Sequence, residues 1–479
     1  MINRKTILKH TALLATATAA ASTGFGVAAE PKAEKPNVIL LFIDDLGYGD
    51  TGPFGCKDIP TPNIDRLAIE GTTFTQSYVT NPPCCPSRAS LMMGMYGQHF
   101  GKYGMSRGLP IPDDKPTMGE FMRDNGYITG QVGKWDLGTK QQGPASRGFM
   151  EVAEDPPRVS DGAKTGRYLY RTKDGKTDWL TNYDGDKLVE FMDRHRNKDK
   201  PFFIYWSPMA VHSPHKNVPE ALAARTTAPK DRRQLGGGIV SVDDQVGKML
   251  DYLDKHKMRE NTLIIFSSDN GGNPSEGSYS TPYRGGKGGG TQQVGWTLIP
   301  TIMSWPGRIP LDKRFDELSC TLDFYPTIAA AAGLPAPKHL DGVDLIPYLN
   351  GEKQGVPHEY LFWLNNDPDD AARRHLVAVR WKQWRLYRYK ENDPWQLFNL
   401  EKDPQEEKDV GKKNPDIVKQ LAAAHAEWKK GHTPPLKPST DKVKDTAPTG
   451  HGWFIGDGRV KAEVVPEKER KRTTPFSPF

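Results

Sequence analysis

The apolar positions of the chain fall into runs that predict buried strands. Residues 37–43, 201–208 and 262–266 are almost continuously apolar, which is typical of strands covered on both faces in a parallel sheet. Residues 127–134 predict a further strand. Helical segments lie between these runs, so the pattern favours an α/β fold with a mixed, mainly parallel sheet flanked by helices.

Helical and turn signals complete this outline. The pattern is clearest in residues 240–255, which are amphipathic with a helical period. Residues 168–178 predict a hairpin. The other segments with helical signals are 61–68, 117–125, 414–430 and one that begins at Asp323.

The pattern changes near residues 351–357, where we predict a domain boundary. Beyond it, short stretches predict the strands of an antiparallel sheet, at 360–363, 375–380, 383–389 and 396–400. The helix at 414–430 is expected to pack on this sheet. The predicted organisation is a signal peptide at 1–29, a catalytic domain at 30–355, a smaller C-terminal α+β domain at 356–433, and an extended basic, Pro-rich tail at 434–479.

The first 29 residues have the pattern of a secretory signal. Arg4 and Lys5 begin a basic stretch, an Ala-rich apolar stretch follows, and small residues before Glu30 offer a cleavage site. Because no later stretch is apolar enough for a transmembrane helix, we expect export to the periplasm or the extracellular space without a stable membrane anchor. The net charge of +6 over 479 residues is too mild to indicate nucleic-acid binding.

A cysteine-rich stretch, residues 83–94, predicts a helix start with unusual chemistry. Pro86 suits the first helical position and Gly94 suits the stop. Cys84 would then lie just outside the positive end of the helix, with Arg88 one turn in, which favours binding of a tetrahedral oxyanion. The alternative is a helix cap with two small buried cysteines.

Acidic residues follow two of the predicted buried strands. Asp44 and Asp45 come after the first, and Asp269 and Asn270 come after residues 262–266. Ligands of α/β sheets bind at the carboxyl ends of strands. Four oxygen ligands favour a hard divalent cation, Ca²⁺ or Mg²⁺, over zinc. The alternative is that these residues stabilise turns.

The motif Cys84-x-Pro86-Ser87-Arg88, followed by a short helix and Gly94, resembles the signature of the type I, formylglycine-dependent sulfatases of the alkaline-phosphatase-like superfamily. The resemblance runs from about residue 37 to about residue 430. It implies that a maturation enzyme oxidises Cys84 to formylglycine. It also implies one calcium ion, held beside residue 84 by Asp44, Asp45, Asp269 and Asn270.

Further matches assign the remaining catalytic residues. By resemblance, Lys134 contacts the aldehyde hydrate and the sulfate, Lys287 binds the sulfate, and His212 protonates the departing alcohol. Arg88, the two lysines and the calcium would spread the charge that develops on the sulfate oxygens. His215 and Arg284 are further candidates for contact with substrate.

The motif 133–138 departs from the family at one position. Family members have Gly-Lys-Trp-His-Leu-Gly, and this chain has Asp136 in place of the histidine. Aspartate can take a proton as the histidine does, but an ionised carboxylate cannot donate a hydrogen bond. Residues 291–296 replace the usual Trp-Glu-Gly-Gly, so the rim of the pocket is expected to differ.

The resemblance implies an exported enzyme that hydrolyses a sulfate ester. The substrate would be a sulfated polysaccharide or glycan, or a small sulfate ester. One alternative is a phosphate monoester or diester hydrolase of the same superfamily. The other is a glycan-binding relative without turnover, which Asp136 would favour.

Overall fold

The computed structural model describes residues 35–105, 108–139, 141–159, 168–215, 217–288, 293–365, 376–390, 392–436 and 451–455. The predicted signal peptide, His375 and residues 291–292 of the predicted rim lie outside these ranges. No helix within them is both long enough and apolar enough to cross a bilayer.

A nine-stranded sheet forms the centre of the structure. Its strands are β1 Asn37–Ile43, β2 Thr72–Phe74, β4 Ile128–Gly133, β5 Glu151–Ala153, β8 Phe202–Ser207, β9 Thr262–Ser268, β10 Thr301–Ser304, β11 Lys313–Phe315 and β17 Trp453–Ile455. Their order in the sheet is β11-β2-β10-β9-β1-β8-β4-β5-β17, and the run from β9 to β5 is parallel throughout.

Helices cover both faces of this sheet, as predicted. Successive side chains of β1 alternate between two apolar clusters, with Ile39 and Leu41 in one and Leu40 and Phe42 in the other. This alternation explains why the strand is apolar at nearly every position. The helices are α1 Pro62–Ile69, α2 Cys84–Met93, α3 Met118–Asp124, α4 Leu180–His195, α5 Glu220–Ala223, α6 Arg233–Lys255, α7 Phe324–Ala331, α8 Ile346–Leu349 and α9 Pro415–Trp428.

Helix α6 begins seven residues before the predicted start at residue 240. The early turns contain three consecutive glycines, which disfavour a helix in isolation. A Cβ on Gly237 would lie 2.7 Å from Val218 and 2.9 Å from the Ala223 main chain. Close packing against neighbouring segments therefore overrides the local propensity.

Smaller sheets complete the fold. β3 Ser77–Tyr78 pairs with β12 Ser319–Cys320, and β6 Leu169–Arg171 pairs with β7 Thr177–Trp179 in the predicted hairpin. The predicted C-terminal antiparallel sheet is confirmed, and α9 packs on it. Its strands are β13 Leu361–Asn365, β14 Leu376–Trp381, β15 Trp384–Arg388 and β16 Gln396–Asn399.

The C-terminal sheet supports the loop that leads into α2. The indole N–H of Trp363 donates to the carbonyl of Val79 at 2.7 Å, and Asn365 Nδ2 donates to the carbonyl of Pro82 at 2.7 Å. Both side chains are buried. β13 thus helps to fix the chain just before Cys84.

Part of the segment predicted as an extended tail, 434–479, lies against the central sheet. Within it, β17 pairs antiparallel with β5 at the sheet edge. The Arg194 guanidinium lies 4.4 Å from the centre of the Trp453 ring. The main-chain N–H of Gly452 donates to Glu154 Oε2 at 2.7 Å, just beyond the end of β5.

Candidate active site

The carboxyl ends of β1 and β9 carry the two acidic segments side by side. Ile43 pairs with Ser268 at the end of both strands, so Asp44 and Asp269 leave the sheet at the same level. The main-chain N–H of Asp45 then donates to Asp269 Oδ1 at 3.1 Å. The structure therefore brings the two segments into direct contact across 224 residues of sequence.

The backbone at Asp45 adopts a left-handed conformation, with φ of 61°. Aspartate tolerates this region better than most residues do. The turn allows consecutive carboxylates to join one cluster. Asn270 Nδ2 donates to Asp45 Oδ1 at 2.7 Å, which draws in the fourth predicted ligand.

Helix α2 begins at Cys84, and the predicted start at Pro86 is wrong by two residues. A proline is tolerated in the first turn because the N–H that it lacks would have no partner within the helix. Cys84 is therefore the first helical residue. Gly94 ends the helix with φ of 62°, as predicted.

The thiol of Cys84 joins the acidic cluster. Its Sγ and one carboxylate oxygen each of Asp44 and Asp269 lie within 4.8 Å of one another. Lys287 Nζ lies 3.8 Å from the sulfur. Burial raises the pKa of Cys84 to about 11, although Lys134 and Lys287 oppose the rise. The unmodified side chain is thus a thiol at neutral pH and a poor nucleophile.

Three predicted cationic residues each contact a different carboxylate. Lys134 Nζ lies 2.7 Å from Asp44 Oδ2, and Lys287 Nζ lies 2.7 and 2.8 Å from the two oxygens of Asp45. Arg88 donates to Asp269 Oδ2 from Nη2 at 2.7 Å and from Nε at 3.0 Å. The cluster therefore alternates acidic and basic groups.

Two residues that hold Arg88 in place escaped the sequence analysis. Arg88 Nη1 donates to Tyr205 Oη at 2.8 Å and to Ser207 Oγ, both on β8. Ser207 Oγ in turn donates to the carbonyl of Phe42 at 2.7 Å. The available signal was a hydroxyl at the last position of an otherwise apolar strand.

A close approach of β4 and β8 positions Lys134. A Cβ on Gly133 would lie 2.1 Å from the Ser207 carbonyl oxygen, and the φ of Gly133 is 88°. Only glycine fits there without displacing main chain. The main-chain N–H of Lys134 donates to the same carbonyl at 2.6 Å, which fixes where the lysine side chain begins.

The carboxylates of the cluster have divergent pKa values. Burial alone would raise the pKa of Asp44, but Lys134, His212 and Arg88 outweigh it and hold the pKa well below its ordinary value. Burial raises the pKa of Asp269 to about 7, and repulsion from Asp44 adds to the effect against the attraction of Arg88. Asp269 is thus the carboxylate of the cluster whose charge the surrounding cations stabilise least.

The donor atoms fit a hard divalent cation. Asp44 Oδ1 and Asn270 Oδ1 are buried and accept no hydrogen bond. Buried polar atoms are normally paired, so two such oxygens in one acidic cluster indicate a missing positive partner. With Asp45 and Asp269 they make an all-oxygen set, which suits calcium or magnesium.

The predicted leaving-group histidine lies at the edge of the cluster. His212 Nε2 is 3.7 Å from Asp45 Oδ2, and Nδ1 is 2.6 Å from the carbonyl of Ser213. A proton on Nδ1 makes that contact a hydrogen bond and leaves Nε2 toward the cluster. Burial lowers the pKa of His212, opposed by Asp45 and Asp44.

The other predicted residues lie at different distances from the centre. Asp136 Oδ2 is 3.3 Å from Lys134 Nζ, and its backbone has φ of 46°. His215 is buried, and burial lowers its pKa to about 4. Arg284 is exposed, and its main-chain carbonyl accepts from Gly295.

Several known proteins are similar to this chain in sequence. The family model described as Sulfatase matches residues 36–334, and that described as N-sulphoglucosamine sulphohydrolase, C-terminal, matches residues 297–430. N-acetylgalactosamine-6-sulfatase of Canis lupus familiaris is 31% identical over 416 residues, which cover 79% of this chain and 76% of the relative. The chain belongs to the sulfatase family. Arylsulfatase A of Homo sapiens is 32% identical to this sulfatase over 392 residues, which cover 74% and 75% of the two chains.

Solved structures agree with the fold of the sulfatase. The crystal structure of Ps i-CgsB superposes with a TM-score of 0.74 and 34% identity, and covers 84% of this chain and 94% of that one. A second structure of the same protein, in complex with k-i-k-neocarrahexaose, gives a TM-score of 0.74 and 33% identity, covering 85% and 95%. The predicted family and fold class are confirmed, and the chain is a sulfuric ester hydrolase.

Charge is arranged by depth in the sulfatase's cluster. The side chains of Asp44 and Asp45 are 0% and 3% exposed, whereas those of Lys134, Lys287 and His212 are 10%, 18% and 17% exposed. The carboxylates of Asp44 and Asp45 thus lie at the floor, whereas the two lysines, His212 and the 19% exposed Asp136 lie at the mouth. The two ammonium groups at the mouth suit an anionic ester.

Proposed function

We propose that this sulfatase removes sulfate from a glycan, using a formylglycine made from Cys84 and a bound calcium ion. The observation that carries the proposal is the buried acidic cluster beside Cys84, in which oxygens of Asp44 and Asn270 lack hydrogen-bond partners. The relatives named N-acetylgalactosamine-6-sulfatase, and the structure with k-i-k-neocarrahexaose, favour a sugar as the alcohol.

The residues around the ester have separable tasks. Asp44, Asp45, Asp269 and Asn270 would hold the calcium, which when bound supplies positive charge to the sulfate oxygens. The Arg88 guanidinium donates to Asp269, Tyr205 and Ser207, so its task is to hold Asp269 in place.

Two lysines would stabilise the sulfate group, and the aldehyde hydrate would attack its sulfur. The ammonium groups of Lys134 and Lys287 lie at the mouth and stabilise negative charge on the sulfate oxygens. The hydrated aldehyde at residue 84 would supply two hydroxyls, one to bond to sulfur as the bond to the sugar oxygen breaks, and one whose loss of a proton would release the sulfate and restore the aldehyde. Burial raises the pKa of an unmodified Cys84 to about 11, so the thiol itself is poorly suited to this task.

Two further residues move protons. His212 presents Nε2 toward the cluster and donates a proton to the departing sugar oxygen. Its lowered pKa makes the protonated form a stronger acid and also reduces the fraction of His212 that is protonated at neutral pH. Asp136, in contact with Lys134, takes the proton of the attacking hydroxyl in place of the histidine of other family members.

We also propose that residues 1–29 direct export and that the enzyme, with one bound calcium ion, acts in the periplasm or outside the cell. The proposal depends on the basic and Ala-rich pattern of that segment. N-terminal sequencing of the protein from its own host should begin at Glu30. A mature chain that still begins at Met1 would contradict it.

Hydrolysis of a panel of esters, measured as released sulfate or phosphate, tests the proposed reaction. The panel contains 4-nitrophenyl sulfate, 4-nitrophenyl phosphate, 6-sulfates of galactose and N-acetylgalactosamine, and neocarrageenan oligosaccharides. We expect faster release from at least one sugar sulfate than from 4-nitrophenyl sulfate, and slower release from the phosphate ester. Preference for the phosphate would assign the enzyme to phosphate ester hydrolysis, and cleavage of aryl sulfate alone would refute the glycan substrate.

A further inference from the structure

A cavity of about 220 Å³ lies beside the reaction cluster and shares Lys134 with it. Its other walls are the chain after β5, with Glu154, and the first turns of α4, with Asp184. We call it the Asp184 cavity. It is smaller than the pockets of about 300–1,000 Å³ that hold drug-sized ligands, and suits a single sugar ring or less.

The cavity begins close to the reacting groups. Lys134 Nζ is 2.7 Å from Asp44 Oδ2 and 3.3 Å from Asp136 Oδ2. A substrate whose sulfate contacts Lys134 therefore has the Asp184 cavity within one side-chain length. This placement makes the cavity a site for the part of the substrate next to its sulfate.

Asp184 is a buried acid with an unmet hydrogen-bonding atom. It is 3% exposed, and its Oδ2 accepts no hydrogen bond. Asp243, on α6, is also a buried acid, but it accepts hydrogen bonds from the main-chain N–H groups of Asn63 and Ile64 and from Asn63 Nδ2. Asp243 thus caps a helix, whereas Asp184 lines the cavity with a carboxylate that is not fully paired.

The charge of the lining selects the kind of donor. Arg158 contacts Asp155, and Lys134 contacts carboxylates of the reaction cluster, so both cations already have acidic partners. Glu154 and Asp184 form no ion pair within the described parts of the chain. A second sulfate would be repelled by the Glu154 carboxylate, whereas a hydroxyl group can donate to either acid.

We propose that the Asp184 cavity binds an unsulfated, hydroxyl-bearing part of the sugar substrate, and that Asp184 accepts a hydrogen bond from one of its hydroxyl groups. This inference rests on the proposed glycan substrate and adds the sugar chemistry next to the sulfate. Two hydrogen bonds fix Glu154 in the wall of the cavity. The main-chain N–H of Gly452 donates to its Oε2, and Tyr183 Oη donates to its carbonyl at 2.8 Å.

The test compares two substrates in Asp184→Ala. One is the sugar sulfate of the panel that the wild-type enzyme cleaves fastest, and the other is 4-nitrophenyl sulfate, which has no sugar hydroxyl. We expect the ratio of kcat/KM for the sugar sulfate to that for 4-nitrophenyl sulfate to fall about 10-fold to 100-fold, because a buried sugar hydroxyl is left without its acceptor. Asp184→Asn keeps a carbonyl acceptor and should lose less.

Two further variants separate this effect from general damage. Asp243→Ala removes a matched buried acid, so it should lower Tm and leave the ratio unchanged. Ala153→Leu narrows the same cavity from β5 and should lower the ratio without touching Asp184. If circular dichroism shows that Asp184→Ala does not fold, the ratio measured for Ala153→Leu tests the subsite in its place.

The outcomes distinguish this inference from the proposed function. If the wild-type enzyme cleaves no sugar sulfate, the glycan substrate is refuted and this subsite with it. If the wild-type enzyme cleaves a sugar sulfate but Asp184→Ala, or Ala153→Leu in its place, keeps the wild-type ratio, the subsite alone is refuted. An equal fall in kcat/KM for both substrates would show that Asp184 has a structural role and would also refute the subsite.

Discussion

Two buried charge clusters follow β1, and they differ in how completely their polar atoms are paired. In the first, Asp50 accepts from Arg232, Tyr279 and Gly47, and its second oxygen also accepts from Ser278. Asp50 and Arg232 are both 0% exposed, and neither has an orphaned polar atom. We call these residues the Arg232 network.

The second cluster begins at Asp44, six residues before Asp50, and its polar atoms are not all paired. Asp44, Asp45 and Asp269 are 0–3% exposed, and two oxygens in the cluster lack hydrogen-bond partners. A network whose polar atoms are all paired stabilises the fold and has no oxygen left for a ligand. A cluster with unpaired oxygens at the carboxyl ends of parallel strands is suited to bind an ion and a substrate.

Removal of the metal should have a large effect through the cluster around Asp44 and none through the Arg232 network. Dialysis against EDTA should lower sulfatase activity by about 10³-fold or more, because several kcal/mol of transition-state stabilisation are lost. The Tm should also fall, since the buried carboxylates lose their partner. Added Ca²⁺ should restore both, as measured by sulfate release and calorimetry.

Full activity after chelation, with no metal found by elemental analysis, would refute the role of the acidic cluster. Arg232→Met is the matched control. Because its network holds no orphaned oxygen, chelation should lower its Tm by as much as it lowers that of the wild type.

Asp136→Asn tests the residue at the edge of the incomplete cluster. Loss of a general base lowers kcat by about 10²–10⁴-fold. Asparagine keeps the shape and tolerates the left-handed backbone at φ of 46°, so Tm should not change. An active wild type that loses nothing on this change would show that Asp136 only pairs with Lys134 and is not the base.

Arg232→Met should damage the complete network and spare the chemistry. Removing one partner of a buried ion pair costs about 3–5 kcal/mol, because Asp50 remains charged and buried. Urea denaturation measures this loss, and kcat per folded molecule should stay within about threefold of the wild type. A parallel collapse of kcat would mean that the two clusters are not separable.

The smallest effect is expected at the sheet edge, where the Trp453 ring contacts Arg194. Trp453→Ala should lower the free energy of unfolding by about 1–2 kcal/mol, through lost apolar burial and cation–π attraction. Ile455→Ala is the matched control, because Ile455 is 69% exposed on the same short strand. Equal losses in the two variants would show that β17 contributes no specific packing.

The sequence predicted the strands and the two acidic segments because both are local patterns. The start of α6 was missed because its three glycines carry a signal against a helix that packing overrides. The Arg232 network joins residues 182 positions apart, and no local pattern encodes that pairing. Tyr205 and Ser207 were missed for the same reason, since their partner Arg88 is distant in sequence.

The proposed reaction depends on conversion of residue 84 to an aldehyde beside the acidic cluster. Peptide mass spectrometry on active enzyme, made in a host with the maturation enzyme, detects this conversion. We expect formylglycine at residue 84, cysteine at residue 85, and no activity in a folded Cys84→Ala variant. An unmodified Cys84 in fully active enzyme would contradict it.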